Sequence, residues 1–168
     1  MSTERPAGWD PPDDDLHGDK LHDDDLQDAV VPDAVVPEVP GEPLHDDASL
    51  LAAVLPLVDG ARDGAPSVWV FLLDADERML PVVLPLADLP LHADPVLVRQ
   101  LMVAMSDILV HHAPAGSVVL AFVRAAGGDR GAFERAWEWS LTTEAADQGV
   151  RVRAVLAVGE HRARVLGR

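Results

Sequence analysis

Acidic residues and prolines crowd into the first part of this chain, and that imbalance limits where a folded core can form. Through Ala48 the sequence carries 15 acidic and 2 basic residues, a formal −13, whereas the remainder holds 14 acidic and 11 basic residues, a formal −3. Pro6, Pro11, Pro12, Pro32, Pro37, Pro40 and Pro43 fall in the same stretch, which has no sustained helical or strand period. Such a segment cannot bury enough apolar surface to offset the entropy of ordering it. Residues 1–47 are therefore expected to be a disordered acidic tail, and residues 48–168 a single α/β domain. Within the tail, Asp13-Asp14-Asp15-Leu16 recurs as Asp23-Asp24-Asp25-Leu26, and Ala29-Val30-Val31-Pro32 as Ala34-Val35-Val36-Pro37. These echoes are too short to be structural repeats.

The composition excludes several kinds of chemistry. Cysteine is absent, which removes disulfides, thiol nucleophiles and thiolate zinc sites. Aromatic residues are 4% of the chain and tyrosine is missing, so the core must be built from Val, Leu and Ala. A net charge of −16 argues against direct contact with nucleic acid, because phosphates are held by clustered Lys and Arg. No stretch reaches the roughly 18 uninterrupted apolar residues of a membrane span, and Met1 to Asp10 has no signal-peptide pattern. A cytoplasmic location without membrane contact is the expectation. Lys20 is the one lysine among 13 basic residues, a bias that fits GC-rich bacterial coding.

Order is expected to begin near Asp47, where Asp47 or Ser49 can cap a short helix broken by Pro56. Val68 to Leu73 reads as a strand, and Leu80 to Leu86 as its hairpin partner, confined to a sheet edge by Pro81 and Pro85. Asp94-Pro95 starts a helix running to about His112, so apolar around most of its circumference that it reads as a buried centrepiece. Ser117 to Val123 has the length and apolarity of an inner strand. Asp129 can cap a helix from Arg130 to Gln148, and Val150 to Val158 with His161 to Leu166 makes a closing hairpin. The predicted order is α-β-β-α-β-α-β-β, a mixed sheet flanked by helices.

Several clusters could carry chemistry. Asp13, Asp15, His17, Gly18, Asp19 and Asp24 fall at calcium-loop spacing, but a His at the fifth position and the preceding Pro11-Pro12 favour diffuse counter-ion binding. His17, His22 and His45 lie in the tail without a designed metal pattern. His111 and His112 are adjacent in the last helical turn, where they suit the helix dipole better than one metal ion. Trp137 and Trp139 must point to different sides of their helix, leaving one in the core and one free to anchor a partner. Arg151 and Arg153 alternate with valines and, with Arg162 and Arg164, could form a basic strip facing the acidic tail or an anionic ligand, though solvated surface arginines on an edge hairpin are the plainer reading. Gly127-Gly128 lacks the lysine and hydroxyl of a phosphate loop, and no Ser-His-Asp set is evident.

From Val68 to Leu166 the sequence resembles a JAB/MPN domain of the RadC branch, which also runs hairpin, helix, strand, motif loop, helix and two strands. In that family the strand ends in His-x-His-Pro-x-Gly and an acidic ligand follows on the next helix. Here Leu120-Ala121-Phe122-Val123-Arg124-Ala125-Ala126-Gly127 keeps the glycine and has Phe122 and Arg124 where the two histidines would stand. Glu134 is the nearest counterpart of the acidic ligand. One carboxylate without imidazoles does not make a three-ligand zinc centre with an open position. The resemblance therefore implies a pseudoenzyme, with no metal, no cofactor and no catalytic residue. The binding residues it implies are Arg124, Gly127, Gly128, Asp129 and Glu134, with the four arginines of the strip. The expected role is a non-catalytic interaction or regulatory protein with an unidentified protein partner. The alternatives are an enzyme using Arg124, Asp129 or Glu134 beside the loop, and a homodimeric structural subunit pairing through the proline edge or final hairpin.

Overall fold

The computed structural model describes residues 41–167. The acidic repeats, the calcium-like spacing, His17 and His22 lie outside the described residues. Helices α1 (Asp47–Val58), α2 (Pro95–His112) and α3 (Ala132–Asp147) accompany strands β1 (Ser67–Leu73), β2 (Met79–Leu86), β3 (Ser117–Val123), β4 (Val152–Val158) and β5 (Ala163–Gly167). The strands form one mixed sheet in the order β2-β1-β3-β4-β5. Only the central β3–β4 pair is parallel. The α/β class and the element order are those read from the sequence. β2 is an edge strand, as Pro81 and Pro85 require, because a proline cannot donate to a neighbouring ladder.

Alternation along the strands divides the core in two. Val68, Val70, Leu72, Val118, Leu120 and Phe122 face α2 and α3, with Met102, Met105, Trp137 and Leu141 packed on them. Phe71, Leu73, Val119, Ala121, Leu156 and Val158 face the other way, against Leu50, Val54 and Val58 of α1. Every residue of β3 is buried, which fits an inner strand covered on both faces.

Three local expectations change. First, α2 is not a buried centrepiece: Val98, Met102, Met105 and Leu109 are buried, while Val96, Val103 and Val110 are 63%, 40% and 67% exposed. The sheet occupies the centre, and two helices share one of its faces, so each helix turns only one side inward. Second, α1 continues through Pro56 to Val58. Pro56 is exposed and its missing N–H costs the helix one backbone bond, while Val58 anchors the helix end in the core. Third, the cap of α1 is Asp46: its carboxylate accepts from the Ser49 N–H at 2.7 Å, and Ser49 Oγ accepts from the Asp46 N–H at 3.2 Å.

The segment 41–47, grouped with the tail on composition, belongs to the folded unit. Leu44 is buried against α1 and its N–H donates to the Glu77 carbonyl at 2.9 Å, and Pro43 forms a bridge with Arg78. Arg153 secures this edge by donating to Glu77 Oε1 at 2.7 Å and to the His45 carbonyl at 2.9 Å. Hydrogen bonding from Arg153 holds the Glu77 carboxyl below its ordinary value; partial burial opposes this, and His45 adds to it.

Candidate functional site

The site that the sequence singles out lies where the parallel strands β3 and β4 end side by side. Such carboxyl ends are where α/β sheets most often present functional loops. Arg124 leaves β3 with its N–H on the Val158 carbonyl at 3.1 Å, and the Gly127 N–H closes back on the Arg124 carbonyl at 2.8 Å. The loop presses directly on the β4–β5 turn. A Cβ on Gly159 would stand 2.4 Å from the Gly127 carbonyl oxygen, so backbone meets backbone there with no room for a side chain. Gly128 combines a φ of +85° with a position 2.4 Å from the Arg162 carbonyl oxygen, counted from its absent Cβ; glycine is needed there on both counts.

Arg124 and Glu134 form the interior of the site. Arg124 Nε donates to Glu134 Oε1 at 2.8 Å and Nη2 to Oε2 at 3.1 Å, a two-pronged pair. Glu134 is fully buried. Its Oε2 also accepts from the Gly131 N–H at 3.0 Å, so the carboxylate satisfies the open backbone at the start of α3. The guanidinium carbon lies 5.7 Å from the centre of the Phe133 ring, within the range of a cation–π contact. Phe133 in turn meets Phe122 edge-on at 6.1 Å and Trp137 at 6.1 Å. Charge, ring stack and helix start are thus one connected unit, with Glu134 fully buried and Arg124 half-buried.

Asp129 is not the cap of α3: the helix begins at Ala132 with Gly131 as its N-cap. The Asp129 carboxylate instead pairs with Arg162 at 2.8 Å and with Arg164. Both arginines also donate to the loop backbone, Arg162 to the Gly127 carbonyl and Arg164 to the Gly128 carbonyl. All three side chains are well exposed, so their pairing tethers the loop and adds little stability.

The four arginines do not form one strip. Arg164 sits beside Ala157 near the end of β4, about 13 Å along the strand from Arg153 at the rise of an extended chain. Arg153 is held by Glu77, and Arg151 donates to the Ala115 carbonyl at 3.0 Å. Strict alternation does not hold across Arg153 either: Val118 pairs with Val152 and Val119 with Ala154, so Arg153 is the extra residue of a register shift, and Arg151 lies just before β4. The other departure from the expected strip is that β5 runs back antiparallel from the far end of β4.

Between the two loops is an open depression of about 430 Å³ lined by Ala125, Ala126, Gly127, His161 and Arg162. Its lining offers an exposed imidazole, a guanidinium already paired with Asp129, and backbone. Its lining contains no hydroxyl and no carboxylate side chain. Among the described residues, no three His, Asp or Glu side chains gather as a metal-ligand set. No described helix is long and apolar enough to cross a membrane. The tryptophans divide as their spacing allows: Trp137 is buried, with Nε1 donating to the Pro90 carbonyl at 2.9 Å, and Trp139 is 71% exposed. His111 and His112 occupy the last turn of α2, and His111 Nδ1 donates to the Asp107 carbonyl at 2.7 Å.

The chain matches no family model, no curated protein and no solved structure.

Proposed function

We propose that this chain is a non-catalytic interaction protein of the cytoplasm, a JAB/MPN-like domain whose motif loop is closed by an ion pair and whose acidic N-terminal segment modulates binding by charge. The observation that carries the proposal is the commitment of Glu134. On the resemblance it is the nearest counterpart of the acidic zinc ligand, yet its two oxygens take Arg124 at 2.8 and 3.1 Å and the Gly131 N–H at 3.0 Å. A carboxylate so engaged would have to abandon a half-buried guanidinium and a helix start in order to bind metal. Arg124, standing where the family has a histidine, is what engages it. A substitution that turns a ligand position into the partner of the remaining carboxylate preserves the fold while removing the chemistry.

The partner proposed is a protein rather than nucleic acid, since 15 acidic residues against 2 basic ones precede Leu50 and would repel a phosphate backbone. The test is affinity capture with the full chain and with a chain lacking residues 1–40, at low and at moderate salt. The cut falls before Gly41 because Leu44 and Asp46 belong to the folded domain. The full chain is expected to retain its partners in a salt-dependent way that the shortened chain lacks. Identical partners with identical salt dependence would remove the acidic segment from the account.

A further inference from the structure

We propose that the chain self-associates through the outer side of α2, two copies lying antiparallel about a twofold axis at Val103. Three of the six large hydrophobic residues exposed among the described residues, Val96, Val103 and Val110, lie on this one helix. Their seven-residue spacing drifts by only about 20° per step, so they make a narrow stripe along one side. That side is turned away from the ridge of Val98, Met102, Met105 and Leu109 that packs on the sheet.

The stripe is symmetric about its middle member, and the neighbouring charges are antisymmetric. An antiparallel pairing brings Val103 against its copy and Val96 level with Val110 of the second molecule. Arg99 stands four residues before Val103 and Asp107 four after, both exposed and flanking the stripe on opposite sides. Neither is ion-paired with another described residue. In the antiparallel arrangement each Arg99 comes level with the other copy's Asp107, twice over. A parallel arrangement would instead bring Arg99 level with Arg99 and Asp107 level with Asp107. The antiparallel choice also sets the positive start of each helix beside the negative end of the other. A surface whose charges complement their own rotated image suits a second copy of the same chain, the self-matching patch of a twofold dimer.

The helix has 18 residues, a length of about 27 Å. One helix pair of that length buries less than the roughly 1,200 Å² at the lower end of stable interfaces. The dimer is therefore reversible and concentration-dependent in the micromolar range. This inference does not depend on the pseudoenzyme proposal.

Sedimentation equilibrium of the full chain across the micromolar range tests it. The wild type is expected to rise from monomer towards dimer mass with concentration. Arg99→Asp alone and Asp107→Arg alone each place like charges level with one another, and each is expected to raise the dimer Kd about tenfold. The double swap Arg99→Asp with Asp107→Arg re-pairs them and is expected to return Kd to within about threefold of wild type. These side chains are on the surface, so circular dichroism spectra stay unchanged. A constant monomer mass for the wild type overturns the proposal, as do single and double variants that weaken the dimer equally or leave it unaltered.

Discussion

Glu134→Ala is expected to lower the unfolding free energy by about 2–4 kcal/mol, because a fully buried carboxylate is removed while its partner Arg124, 24% exposed, keeps part of its hydration. Much of this loss comes from what is left behind. Without Glu134 the Arg124 guanidinium remains beside Phe133 with no counter-charge, and the Gly131 N–H keeps only the Asp129 carbonyl as acceptor. Since domains of this size are stable by only about 5–15 kcal/mol, the variant is expected to unfold at markedly lower urea concentration. Replacing both partners by apolar residues, Arg124→Met with Glu134→Leu, removes the stranded charge and is expected to be milder than Glu134→Ala alone. Urea titration followed by circular dichroism measures both. A loss below about 1 kcal/mol for Glu134→Ala would mean that the site is wetter and looser than its geometry indicates.

Trp137→Ala is expected to cost a similar amount, about 3–5 kcal/mol, through the cavity left by a large buried ring. Trp137 is 1% exposed, packs on Phe133, and ties α3 to the segment before α2 through the Pro90 carbonyl. Trp139→Ala, two residues away, is expected to change stability by less than about 0.5 kcal/mol, because that ring is 71% exposed. The pair of variants can be compared in the same titration. Equal effects would contradict the orientation of α3.

The strands and the start of α2 were legible because they rest on local signals. An apolar run such as Ser117 to Val123, prolines in β2, and Asp94 before Pro95 each act within a few residues of themselves. Asp94 does cap α2, accepting from the Val96 N–H at 2.8 Å. The start of α3 was misplaced because two residues compete there for one task. Asp129 has the right chemistry for a cap, but Arg162 and Arg164, more than thirty residues later, draw it away. Glu134, which fulfils the task instead, could have been found from its place three residues after Gly131, the spacing at which a helical Glu reaches back to the N-cap N–H.

Composition misled at two places. Residues 41–47 look like the rest of the acidic segment, and what folds them in is the single buried side chain of Leu44 together with the long-range reach of Arg153. Helix α2 looks fully buried because its apolar residues surround it, and the sequence could not tell a second helix sharing the same sheet face from a core enclosing the first. The exposed valines left by that error form the stripe proposed for self-association. For the candidate site, the sequence located the loop and named both Arg124 and Glu134. It could not pair them, because the pairing depends on how α3 folds back across the end of β3.

In the proposed reading, Glu134 serves Arg124 and the helix start and is withheld from any metal. Zinc titration calorimetry on the purified full chain and on its Glu134→Gln variant tests this most directly. Both proteins are expected to give the same zinc response, with no stoichiometric site that depends on Glu134. One equivalent of zinc bound by the wild type and lost in Glu134→Gln would contradict it.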